Sequence, residues 1–122
     1  MYIIIAETEF RASHGLVLAD GGREDLHSHL WRVRAAVHCT HLNKVQMGID
    51  FHELKALLGE IVAALADRPL EEHRAFASVN PTAEMVAKFV FDRLAPKIPP
   101  HGKLAWVEIT EAPGCIVRYA QD

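Results

Sequence analysis

Apolar and polar residues alternate with a period of two near both ends of the chain and recur every three to four positions in between. Residues 2–13 open on Tyr2-Ile3-Ile4-Ile5 and continue as an apolar/polar mixture, which predicts a strand. Residues 29–40 predict a second, longer strand, with Trp31, Val33, Ala35 and Val37 on one face and Arg32 and Arg34 on the other. The intervening stretch 15–26 holds Gly15, Gly21, Gly22 and several acids and reads as a loop. Asn43-Lys44 predicts a turn, and Gly48 punctuates the short segment after it. Leu54, Leu57, Leu58, Ile61, Val62 and Leu65 then mark an amphipathic helix, with Asp50 placed to cap its first turn. A second helix is expected from Asn80-Pro81, with Asn at the cap and Pro at the first helical position, where its missing N–H costs nothing. Val86, Phe89, Val90 and Leu94 form its apolar stripe, and Pro96 ends it. Residues 103–111 and 115–120 alternate again around Ala112-Pro113-Gly114, a C-terminal hairpin.

The order β-β-α-α-β-β packs most simply as an α+β domain, a four-stranded antiparallel sheet with two helices on one face. No repeat, linker or low-complexity stretch divides the chain, so residues 1–122 are expected to form a single domain. An open sheet has two edges, which small proteins commonly cover by oligomerising.

Charge and composition narrow the function. Thirteen Lys and Arg against sixteen Asp and Glu give a formal charge of −3, with no electrostatic case for nucleic acid. No apolar run approaches the ~20 residues of a membrane span. The apolar start meets Glu7 and Glu9 too early for a secretory signal and lacks its positive beginning. Cys39 and Cys115 stand far apart without CxxC spacing, which excludes a disulfide scaffold and predicts a reducing, cytoplasmic setting. Histidine is the outlier, at eight of 122 residues.

His27 and His29 are two residues apart where the second strand begins, so both imidazoles project from one face. Two such nitrogens can chelate one metal ion, and zinc requires a third protein ligand. His14 is the candidate, since antiparallel pairing across the loop 15–26 returns it to the pair. The spacing is short enough to fit a chance pair in a histidine-rich chain as well. His38, His41, His52, His73 and His101 have no comparable partners.

Five segments then fall in order: Phe10-Arg-Ala-Ser-His14, His27-Ser-His29, Met47-Gly-Ile-Asp-Phe-His-Glu-Leu-Lys55, Asn80-Pro-Thr-Ala-Glu84 and Glu111. Together they closely resemble the 6-pyruvoyltetrahydropterin synthase / 6-carboxytetrahydropterin synthase family, over Phe10 to Tyr119. The resemblance implies the tunnelling fold, a β-β-α-α-β-β unit whose sheets join around a ring into a barrel, usually as a homo-hexamer of two trimers. It implies zinc on His14, His27 and His29, gripping the side-chain hydroxyls of 7,8-dihydroneopterin triphosphate. It makes Glu111 the anchor of the pterin ring, a carboxylate that takes the 2-amino and ring N–H donors together. Thr82 is implied as a ring contact, although its first-turn position suits a helix role equally. Sites between subunits are implied as well, with Glu111 contributed by a neighbour.

The chain departs from the family where proton transfer occurs. The family cysteine four residues before H-x-H is Arg23 here, and the usual middle glycine is Ser28. The family segment Leu-Asp-His-x-x-Leu-Asn is matched by Leu65-Ala-Asp-Arg-Pro-Leu-Glu71, so Ala66 and Asp67 replace the Asp-His pair. Cys39 is no substitute thiol, lying ten residues, roughly 33 Å, along the strand from His29. Glu24 and Asp25 are better candidates, since some family members carry glutamate in place of the cysteine and cleave the pterin side chain. Glu24 is one residue out of that register, and Asp67 is the second candidate for proton transfer. Three readings follow: a zinc lyase with altered proton transfer, an inactive pterin- or purine-binding protein, or an enzyme of the same fold whose Arg23 faces an anionic group.

Overall fold

The computed structural model describes residues 1–121. Strands β1 (Tyr2–His14) and β2 (His27–Cys39) pair antiparallel without interruption from Tyr2↔Cys39 to His14↔His27. The chain then forms α1 (Phe51–Ala63) and α2 (Ala83–Leu94), and closes with β3 (Gly102–Ala112) and β4 (Cys115–Tyr119). Sheet order is β1-β2-β3-β4, all antiparallel. Both helices lie on one face, α1 against β1 and α2 against β3 and β4. The α+β expectation and the β-β-α-α-β-β order hold.

Burial alternates along the strands as the pleat requires. Trp31, Val33, Ala35 and Val37 are fully buried under the helices, while Arg32 is exposed on the other face. Trp31 stacks on Phe10 of the neighbouring strand, with ring centres 6.0 Å apart, and its indole N–H donates to the Ala12 carbonyl at 3.1 Å. From α1, Leu54, Leu58, Ile61 and Val62 enter this core, each contributing about 1.5–3 kcal/mol of apolar burial. Truncating Leu58 to Ala would cost about 2–5 kcal/mol, because the cavity collapses only partly.

Asp50 caps α1 as expected, accepting from the His52 N–H at 2.7 Å. The helix stops at Ala63, and Leu65 reaches the core from the turn beyond. α2 begins later than the sequence predicts: its cap is Thr82, whose Oγ1 accepts from the Met85 N–H at 3.2 Å. Asn80 is not free to cap, because its side chain accepts from Val17 N–H at 2.8 Å and donates to Val17 C=O at 2.9 Å. Pro96 falls in a single 3-10 turn after Leu94, as a helix stop should. Pro113 and Gly114 join β3 to β4, and the glycine supplies the positive φ of 81° that this tight turn needs. β1 and β2 run one or two residues further towards their shared loop than the alternation suggests, so the strands themselves carry the histidines.

Candidate metal centre

His14 and His27 are the last partners in the β1–β2 ladder, and His29 follows two residues along β2. The period of two puts all three rings on the helix-facing side, beyond the end of the core and over Trp31. The His14 and Trp31 ring centres are 4.9 Å apart, and those of His29 and Trp31 5.7 Å. One nitrogen from each of the three histidines lies within 4.8 Å of the others. Two Zn–N bonds of ~2.1 Å span at most about 4 Å, so small ring rotations would close the set around an ion.

Hydrogen bonds select which nitrogens face inward. His14 Nδ1 lies 2.8 Å from the Pro81 carbonyl, and His27 Nδ1 lies 3.1 Å from the Asp25 carbonyl. A carbonyl only accepts, so both Nδ1 atoms carry hydrogen and the neutral rings keep a lone pair on Nε2. The Nε2 atoms of His14 and His29 are buried without a hydrogen-bond partner. Glu111 Oε1 is 2.9 Å from His14 Nε2, yet off the line of a ring N–H. A nitrogen that close to a carboxylate oxygen is satisfied by a cation in the cluster or by a proton on the ring. Burial lowers the pKa of His29 from its ordinary 6.5; Glu111 pulls it up, His14 and His27 push it down further, and Glu24 raises it. The neutral ring so favoured is the form a metal binds. The donor set, its orphaned nitrogens and its backbone-held outer nitrogens fit zinc.

Within one chain Glu111 already touches His14, the most buried of the three histidines. The hairpin β3–β4 places it, because Thr110 pairs with Arg32 and Glu111 is the next residue along β3. A cleft of about 410 Å³ opens there, lined by His29, Glu111, Ser28, Arg32 and Thr110 among others.

Glu24 is half-buried in the loop, with Oε1 accepting from the Leu16 N–H at 3.0 Å. Its own carbonyl packs so close to Gly15 that a Cβ there would sit 2.6 Å from it, so the residue after His14 has to be glycine. Arg23 turns away from the cleft: it is 61% exposed, with Nη1 3.8 Å from Glu71. Asp67 is exposed at a positive φ of 65°, its N–H donating to the Arg11 carbonyl at 2.7 Å. Within one chain it does not join the histidines. Thr82 does not line the cleft; its hydroxyl is taken by the α2 cap.

Two contributors are missed by sequence reasoning. One is the Pro81 carbonyl, and Asn80-Pro-Thr82 now has a physical account: Asn80 clamps the loop at Val17, Pro81 orients His14, and Thr82 starts α2. The other is Glu71, whose Oε2 accepts from the Gly15 N–H at 2.8 Å while its Oε1 is buried without a partner. Its sequence signals were its place at the end of the family-like segment Leu65–Glu71 and an acid directly after the buried Leu70.

Residues 3–122 match the family model described as 6-pyruvoyl tetrahydropterin synthase. The chain belongs to that family. No curated relative matches this sequence. Solved structures carry the same fold: the Caenorhabditis elegans 6-pyruvoyl tetrahydropterin synthase superposes with a TM-score of 0.82 at 21% identity, over 100% of this chain and 98% of that one. A Plasmodium vivax 6-pyruvoyltetrahydropterin synthase with a catalytic glutamate replaced by alanine gives 0.79 at 14% identity, over 99% and 98%. An uncharacterized Wolinella succinogenes protein gives 0.78 at 19% identity, over 99% and 98%. In this member of the 6-pyruvoyl tetrahydropterin synthase family, no described helix is long and apolar enough to cross a membrane.

Proposed function

We propose that this family member is a zinc-dependent lyase acting on 7,8-dihydroneopterin triphosphate or a related pterin, with a carboxylate doing the work of the family thiol. The observation that carries this reading is the convergence of two orphaned, buried imidazole nitrogens with a third histidine and the Glu111 carboxylate. His14, His27 and His29 hold the metal, and the Pro81 and Asp25 carbonyls keep the first two rings in the binding tautomer. When bound, zinc lowers the pKa of a substrate hydroxyl and polarises a developing carbonyl. Glu111, at the cleft, accepts the N–H donors of a pterin ring.

Glu24 carries the proton. One oxygen is anchored on the Leu16 amide, the other has no hydrogen bond among the described residues, and its charge acts on His29. A catalytic glutamate in the Plasmodium vivax synthase supports a carboxylate in this role. Asp67, exposed and outside its own chain's histidine group, serves in a neighbouring subunit's site of a homo-oligomer, a hexamer on the family pattern. A cytoplasmic setting fits the two unpaired cysteines.

The test is to incubate zinc-loaded protein with 7,8-dihydroneopterin triphosphate and identify products by mass spectrometry, with His27→Ala and Glu24→Gln in parallel. Zinc-dependent consumption that fails in both variants is expected. The product mass tells phosphate elimination from side-chain cleavage. Absence of any consumption by the unaltered protein would sink the lyase reading.

A further inference from the structure

In one of the three readings Arg23 faces an anionic substrate group; it lies 3.8 Å from Glu71 and does not line this cleft. The guanidinium that does line the cleft is Arg32. β2 and β3 pair from Cys39↔Gly102 as far as Arg32↔Thr110, and the ladder ends there. His29 and Glu111 lie on the helix-facing side, whereas Ser28 and Arg32 project from the opposite side of β2. The cleft touches residues of both sides at the point where the β2–β3 ladder ends.

The two arginines on this outer face are used differently. Arg34 donates to Glu108 at 2.9 Å. Arg32 is 54% exposed and meets Glu9 only loosely, at 3.6 Å, without a hydrogen bond among the described residues. Thr110 is its cross-strand partner on the same face, Ser28 lies four residues back along β2, roughly 13 Å at strand rise, and all three line the cleft. A guanidinium with a neighbouring hydroxyl suits an oxyanion, which it grips through two parallel N–H···O bonds. Three residues of strand, about 10 Å, separate Arg32 from His29.

We propose that Arg32, with Ser28 and Thr110, binds the oxyanion tail of the substrate, phosphate or carboxylate, whose other end meets the histidines and Glu111. The tail lies along the cleft where the β2–β3 ladder ends, and Glu9 yields its loose contact when the anion arrives. This rests on the proposed function only in taking a small molecule to occupy the cleft. Arg32 is a specificity residue for charged over uncharged tails.

The test uses metal-free protein, so that zinc cannot bind the probes, and titrates tripolyphosphate, succinate and neopterin by calorimetry. Arg32→Ala is expected to weaken anion binding about 10- to 100-fold, the worth of a charge-assisted contact. Arg32→Lys should recover part of it, and Glu9→Gln should tighten it, with melting temperatures close to the unaltered protein in all three. The stronger of tripolyphosphate and succinate tells a phosphate from a carboxylate tail. Anion binding that is absent, or unchanged in Arg32→Ala, overturns the proposal even if neopterin binds. If neopterin fails to bind while anion binding depends on Arg32, the pterin reading falls and the oxyanion site stands.

Discussion

Two polar clusters occupy the same sheet and could hardly be more different in how they are satisfied. On the outer face, Glu108 is buried with both oxygens engaged: Arg34 donates to Oε1 at 2.9 Å, and Arg118 donates twice to Oε2, at 3.2 and 2.8 Å. The Arg118 guanidinium also covers the Trp106 ring, 3.9 Å from its centre. Burial alone would raise the Glu108 pKa, but the hydrogen bonds from Arg118 and Arg34 outweigh it and hold the carboxyl below its usual value. On the helix-facing side, His14 is as deeply buried, and its inward nitrogen has no hydrogen bond. A saturated network has nothing left to offer a ligand, whereas an unsaturated one costs stability until a ligand completes it. The first cluster is a structural clasp across three strands, and the second is a candidate site.

That contrast can be broken at several points. The largest effect is expected from His27→Ala, which removes a ligand that is only half-buried. Zinc affinity, read by competition with a chelator, should fall by more than the ~10–100-fold typical of losing an outer partner, while metal-free stability changes little. Glu108→Ala should do the reverse, leaving zinc affinity intact while lowering unfolding free energy by about 1–3 kcal/mol, since both guanidinium groups are partly exposed and can recover water. A loss of zinc binding in that variant would mean that the two clusters are coupled through β2 and β3. Thr82→Ala should cost about 1 kcal/mol in denaturant unfolding through the lost α2 cap. If Thr82 acts only there, zinc affinity should move little.

The smallest effect separates titration outside the site from titration within it. His73 packs edge-on to Phe89, and burial, then Arg93, Arg68 and Arg74, lower its pKa from 6.5. The unfolded chain therefore binds the proton more readily, so this contribution to stability is full above about pH 6.5 and is lost as the pH falls through the lower folded value. His73→Asn keeps an acceptor for the Ala75 N–H, a bond of 3.0 Å, without titrating. It should flatten that part of the thermal-midpoint profile of the metal-free protein. An unchanged profile would assign the acid sensitivity to the site histidines instead.

Much of this was legible in residue order. Alternation at Trp31, Val33, Ala35 and Val37 and the three-to-four spacing from Leu54 to Leu65 placed the strands, the first helix and the buried faces, because burial by one face is a local constraint. The spacing His27-x-His29 and the family-like segments pointed to the three histidines, which the fold brings together. The second helix start was misread at Asn80 because a competing partner, the Val17 backbone, lies 63 residues away in sequence. Glu71 and Pro81 escaped notice for the same reason, since each acts on the His14–Gly15 corner from a distant part of the chain.

By itself, then, the sequence determined the element order, the inward faces and which histidines cluster as candidate metal ligands, all set by periodicities of two and 3.6 and by donor chemistry. Only the tertiary structure decided which nitrogen of each imidazole faces the site, that Glu111 reaches it from the same chain, and that Arg32 rather than Arg23 lines the cleft. The reason is that tautomer, orphaned lone pairs and ion pairing depend on which carbonyls and carboxylates arrive from elsewhere in the chain, and no local pattern encodes them.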